Sequence, residues 1–159
     1  MEPKDKVMEV LLKVFIFAIF VALFIKFFPF EKFEGNQNGE VEIAGQKIYV
    51  EIARNPKKQD RGLSDKLSME NDHGMLFVFM REESHSFWMK DMLFPLDIIF
   101  IDKDYSVIEI IKNAQPCAVG TMCPSILTSN KFKYAIELNA GWASSHNLKV
   151  GDKVQMLKI

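Results

Sequence analysis

The sequence predicts a β-rich α+β domain: a compact, mostly antiparallel β-barrel or sandwich with one or two short helices, preceded by a single N-terminal transmembrane helix. Three observations predict it. Apolar residues beyond residue 40 recur mostly with period two. Turn residues break that pattern into short segments, with little room for helices. Eight of the 14 Phe lie between Phe15 and Phe33, so the 48% apolar average mixes two different materials. The 159 residues give room for one ordinary domain. With 20 basic and 21 acidic side chains, the net charge of −1 argues against a nucleic-acid partner, which calls for a basic stripe.

Residues 1–6 form a short polar tail, and residues 7–30 form the expected membrane anchor. Within it, Val10 to Phe28 holds 17 apolar residues out of 19, the exceptions being Lys13 and Lys26. Both lysines lie near the ends, where their stems carry the charge towards the headgroups. Val7 to Phe28 is 22 residues, or roughly 33 Å of helix against a hydrocarbon core of about 30 Å. Pro29 then ends the helix. No small-residue cleavage site follows, as a removed signal peptide requires. An uncleaved anchor in the lipid bilayer is therefore expected, at a single-pass cell-membrane location. Lys4, Lys6 and Lys13 before the span against Lys26 and Lys32 after it decide little about orientation. The short tail favours a globular part outside the cytoplasm.

Residues 31–40, EKFEGNQNGE, read as a polar linker. Residues 41–159 are the globular domain. VEIAGQKIYVEIA alternates around Ala44-Gly45 and reads as a hairpin. RNPKKQDRGLSDKLSMENDHG reads as a polar loop with a helical turn or two. MLFVFM, SFWMKDM, LDIIFID, SVIEIIK, YAIEL and KVQMLKI are the further candidate strands. Asn139 is a candidate cap for a short helix around Gly141 to His146.

The order RGLSDKL, GMLFVF, SFWMKDMLFPLDIIFID and AIELNAGWASSHNLKVGDKV resembles the domain-of-unknown-function family 192 of bacteria and archaea. The likeness runs from about Val41 to Ile159. Trp88, Lys90, Pro95 and Asp97 correspond to the family's F-W-M-K-N-T-x-x-P-L-D pattern, while Asp91-Met92 stands where Asn-Thr is usual. The resemblance implies a compact β-rich domain, often exported or membrane-anchored, and no activity.

As a strand, SFWMKDM puts Phe87 and Met89 on one face, Trp88 and Lys90 on the other. Asp97 opens a strand that is apolar on both faces, so it needs a partner. Lys90 is the natural one, either as a structural ion pair or in a pocket where Trp88 stacks a ligand. Glu137 lies opposite Tyr134, Ile136 and Leu138. It is either solvent-facing or, if it shares a hollow with Asp97, half of an acid/base pair. Arg61 is either an anion-binding residue or a loop cation. Arg61, Trp88, Lys90, Asp97 and Glu137 are thus the candidate ligand-binding residues, and no residue is assigned as catalytic.

His73, His85 and His146 lack metal-ligand spacing, so no metal or other cofactor is expected. Cys117 and Cys123, in PCAVGTMCP, are close enough in sequence for a structural disulfide. A disulfide favours an oxidising compartment. The functional expectation is a membrane-anchored extracytoplasmic binding or interaction module for an unknown protein or small molecule. The alternatives are a cell-envelope hydrolase using Asp97 and Glu137, and a structural component of an envelope assembly.

Overall fold

The computed structural model describes residues 11–21, 38–118 and 120–159. The chain divides into two compact units, Met1–Gly35 and Asn36–Ile159. In the first, residues 11–21 form a helix, α1, whose apolar side chains are exposed. Eleven residues of helix span roughly 16 Å. Among the described residues no helix is long and apolar enough to cross a membrane. The remainder of the expected span, 7–10 and 22–30, lies outside the described residues.

The second unit is built on one seven-stranded sheet. Its strands are β1 (Asn38–Ile43), β2 (Gln46–Ala53), β3 (His73–Glu83), β5 (Leu96–Ile101), β6 (Val107–Ala114), β8 (Phe132–Asn139) and β9 (Val154–Lys158). Their order in space is β6-β5-β8-β3-β2-β1-β9. A separate ribbon pairs β4 (Ser86–Phe87) with β7 (Ile126–Leu127). β1 and β2 form the expected hairpin, its two-residue turn made by Ala44 (φ 50°) and Gly45 (φ 70°). Positive φ at both turn residues matches the right-handed twist of the strands.

Five of the six strand pairings in this sheet are antiparallel, as expected, and two features depart from the expected mostly antiparallel barrel or sandwich. First, β3 runs parallel to β2, with Tyr49 opposite His73 and Ala53 opposite Phe77. A parallel neighbour needs a long crossover, and the polar segment between the two strands supplies it, including α2 (Pro56–Arg61). Asn55 caps α2 through its side-chain oxygen, which accepts from Lys58 N at 2.9 Å. Second, no barrel is closed among the described residues. The outermost strands meet only at one corner, where Ser106 bridges Lys153 and Val154 N donates to Tyr105 O. Period-two alternation reports which side chains share a face, not which strand lies next door, so it could not separate a mixed open sheet from a barrel.

Apolar side chains cover both faces. On one, Val41, Ile43, Ile48, Val50, Leu76, Ile99, Ile136 and Leu138 pack with Trp142 and Leu148. On the other, Met75, Phe77, Phe79, Ile98, Phe100 and Ala135 pack with Phe87, Met89 and Phe132. β5 is buried along all six residues, as a central strand covered on both faces should be. SFWMKDM contributes only Ser86–Phe87 to a strand, although the predicted facing survives: Phe87 and Met89 are buried, Trp88 and Lys90 exposed. α3 (Trp142–Ser145) follows Gly141 (φ 86°) and has no side-chain cap. Asn139, the predicted cap, instead donates to Met69 O at 2.9 Å, tying the end of β8 to the crossover.

Candidate functional site

The register of β5 and β8 separates the two carboxyl groups singled out in the sequence. Asp97 lies opposite Leu138, and Ile98 lies opposite Glu137. Neighbouring register positions point to opposite faces of a sheet. Asp97 therefore belongs to the face of Ile99 and Leu138, and Glu137 to the face of Ile98 and Ala135. A carboxyl pair needs both groups on one substrate, so this geometry removes the acid/base pairing of Asp97 with Glu137.

Asp97 is fully buried and fully occupied. Its Oδ1 accepts from Asn113 N and its Oδ2 from Ala143 N, each at 2.9 Å. It thus joins β5 to the end of β6 and to the first turn of α3. Its partners are backbone amides, not Lys90. Lys90 is exposed and lines a different hollow, of about 540 Å³, with Asp91, Cys117 and Cys123. Arg61 is exposed and lies 3.8 Å from Asp65, paired with it rather than with a pocket.

Glu137 is the opposite case. It is 4% exposed, and its Oε2 is buried without a hydrogen-bond partner. Burial alone pushes its carboxyl up to about 8. The residues opposite it on both neighbouring strands are apolar, Met75 on β3 and Ile98 on β5. The expectation of a solvent-facing Glu137 fails because β8 lies inside the sheet and a second core covers its other face.

A pocket of about 320 Å³ opens onto Glu137. It is lined by Gln59 and Asp60 of α2, by Phe77 and Phe79 of β3, and by His85, Phe87 and Trp88. The aromatic wall is continuous: Phe77 meets Phe87 edge-on at 5.0 Å between ring centroids, and Phe79 stacks on His85 at 3.9 Å. The His85 Nε2 is a second buried atom without a partner. Desolvation lowers the His85 pKa, opposed by the charge of Glu83. Gln59 is fixed in place, its Nε2 donating to Val78 O at 3.0 Å and Ala53 O at 3.2 Å.

Gly62, just past α2, borders the carboxyl group. A Cβ there would lie 3.7 Å from Glu137 Oε2 and 3.6 Å from Phe77. Its φ of 53° with ψ of −133° is a conformation that residues with a side chain rarely adopt. The Arg61-Gly62-Leu63 segment thus meets this face through its glycine and the buried Leu63, while Arg61 is exposed.

Trp88, 43% exposed, borders both the Glu137 pocket and the hollow at Lys90. Cys117 and Cys123 form the predicted disulfide, with Cα atoms 5.4 Å apart. Cys117 N donates to Met89 O at 3.2 Å and pins that loop to the Trp88 segment. Asp91 has φ 56°, a left-handed position that Asn and Asp tolerate better than most residues, so the Asn-to-Asp departure keeps this turn.

Sequence reasoning missed His85, Gln59, Asp60 and Gly62. Their one shared signal, proximity to apolar segments that cover β8, exists only once the strands are ordered. It also missed Glu70, Asp72 and His73, whose ligand atoms lie within 4.8 Å of one another. His73 Nδ1 is 2.8 Å from Asp72 and 3.4 Å from Glu70, a surface cluster satisfied internally.

The fold and the site together describe a small open-sheet domain with an acidic, aromatic-lined pocket, and comparison with known proteins places it. Residues 39–156 match the DUF192 family, described as uncharacterized ACR, and the chain belongs to that family. It is similar to the crystal structure of a proposed transcription regulator from Sinorhizobium meliloti 1021. That likeness has 30% identity and a TM-score of 0.67, over 75% of this chain and 92% of the other. It is also similar to a protein of unknown function from Novosphingobium aromaticivorans DSM 12444. There the identity is 29% and the TM-score 0.66, over 74% of this chain and 83% of the other. No curated protein matches the chain.

Proposed function

We propose that this protein is a binding module, anchored to a membrane by residues 7–30, with its domain outside the cytoplasm and its ligand seated in the Glu137 pocket. One observation carries the reading. The Glu137 Oε2 is a buried acceptor with no partner, at a pocket large enough to supply one. Leaving such a group unpaired costs about 1–3 kcal/mol, more for a charged one. Groups of this kind concentrate at functional sites. The apolar run in residues 7–30 supports the anchor. The Cys117–Cys123 disulfide supports an oxidising compartment. The net charge of −1, without a basic stripe, gives no support to carrying over the transcription-regulator description of the Sinorhizobium protein.

The two tryptophans give the test. Trp88 lines the pocket, while Trp142 is 6% exposed on the opposite face and stacks on His146 at 4.1 Å. In a fragment screen on the labelled full chain in detergent, ligands should shift the Trp88 indole resonance and leave Trp142 in place. A screen in which no fragment moves Trp88 overturns the pocket. For topology, reduced Cys117 and Cys123 should react with an impermeant thiol reagent on intact cells. Protection until lysis overturns the extracytoplasmic placement.

A further inference from the structure

Resting on that reading of the Glu137 pocket, we propose that the group it recognises is an organic cation, an alkylammonium or guanidinium, seated against the Glu137 carboxylate and walled by Trp88, Phe87 and Phe79. The charges of the lining point one way. Glu137 and Asp60 contribute two carboxyl groups, and no Lys or Arg is among the lining residues. Of the cations next to the lining in sequence, Lys58 and Arg61, neither lines the pocket, and Arg61 lies 3.8 Å from Asp65. His85 is the one basic side chain of the lining, and burial disfavours its charged form. An anion entering here would meet two acids and no counter-charge.

The walls point the same way. Aromatic faces attract a cation through the ring quadrupole, most for Trp and most when water is excluded. Trp88, Phe87, Phe79 and Phe77 line the same space as the carboxyl group. A cation with apolar substituents would bury its methylene or methyl groups on these rings and give Oε2 the partner it lacks. The volume, about 320 Å³, is at the small end of the range for ligand pockets, which suits a head group or one side chain.

Proton linkage follows. The groups facing Glu137 across the pocket that titrate are Asp60 from α2 and His85 from the segment after β3. The strand neighbours Met75 and Ile98 do not. A cation binds the ionised carboxylate, and burial keeps Glu137 largely protonated up to about pH 8. Binding at pH 7 should therefore release a proton, and affinity should climb with pH until Glu137 is ionised.

The experiment is calorimetric titration of the full chain in detergent, read alongside the Trp88 indole resonance. The probes are choline, its uncharged carbon analogue 3,3-dimethylbutan-1-ol, n-butylammonium, n-butanoate and N-acetyl-lysine methylamide. Choline should bind at least tenfold more tightly than the alcohol. Its affinity should rise about tenfold from pH 6 to pH 7. Proton release, read from the dependence of the heat on buffer ionisation, needs no variant. Glu137→Gln should remove both the charge preference and the pH rise. If the lysine derivative binds at least tenfold better than n-butylammonium, the cation is a side chain of a polypeptide. Equal binding marks a free small cation. If the alcohol or n-butanoate shifts Trp88 as strongly as choline, or if no proton is released, the cationic class is wrong while the pocket stands. If no probe shifts Trp88, the pocket reading falls with it.

Discussion

Asp97 on β5 and Glu137 on β8 are both buried carboxyl groups, one register position apart on neighbouring strands, and only Asp97 has its hydrogen bonds made. Asp97 receives two backbone amides that would otherwise need other acceptors, one from the end of β6 and one from α3. Glu137 receives none at Oε2, and faces aromatic rings across an open pocket. A buried acid whose acceptor sites are used by the chain is part of the framework. A buried acid left open beside a cavity is a site awaiting a partner. The two faces of one sheet thus treat a buried acid differently: on one the chain supplies its hydrogen bonds, on the other one oxygen is left without a partner.

The largest expected effect tests the framework half of this contrast. Asp97→Ala removes the acceptor of the buried Ala143 amide and of the partly buried Asn113 amide. It should cost about 3–5 kcal/mol of stability in urea unfolding, since charge-assisted bonds to two backbone donors are lost. Asp97→Asn keeps one acceptor and should cost markedly less. A cost below about 1 kcal/mol for the alanine variant would show that Asp97 does not organise its face.

The next effect tests the other carboxyl group. Glu137 is held at about 8 in the fold, against an ordinary value of 4.5 that the unfolded chain restores. Between these values the folded state binds more protons than the unfolded one. The contribution of this group to stability is therefore full below about pH 4.5 and declines as pH rises through 8. Glu137→Gln removes that decline. The variant should gain about 2–4 kcal/mol on the wild type between pH 5 and pH 9, estimated from about 1.4 kcal/mol per pKa unit. Equal pH profiles in urea titrations would sink the picture of an uncompensated buried acid.

The smallest effect concerns the backbone beside the pocket. Gly62→Ala forces a side chain onto φ 53° and ψ −133°. The strain should cost of order 1–3 kcal/mol. The added methyl would make ordinary contacts with Phe77 and Glu137. The Trp88 resonance should move while that of Trp142 stays. A shift of Trp142 instead would show that the two faces are coupled rather than separate.

Most of the strands were legible because burial in a sheet imprints period two on the chain. Ile48, Val50 and Ile52 alternate with exposed or half-exposed neighbours, and Ala44-Gly45 marks the turn between them. The need of Asp97 for a partner was also legible, because a charge at the start of an all-apolar strand cannot stay bare. Its partners were not. They are backbone amides 16 and 46 residues away, and amides carry no sequence signature.

Glu137 shows where sequence stops. The alternation of Tyr134, Ile136 and Leu138 determines that Glu137 points to the opposite face, because side chains of a strand must alternate. Whether that face meets water or a second core is decided by strand order, by α2 and by the aromatic segments that fold over β8. Those are long-range choices, set by the total area the chain can bury. The sequence by itself determined most of the strands, the turn of the first hairpin, the disulfide and the facing of each carboxyl group. Only the tertiary structure decided that Asp97 would be enclosed by amides, and that Glu137 would be left with an empty acceptor beside a pocket.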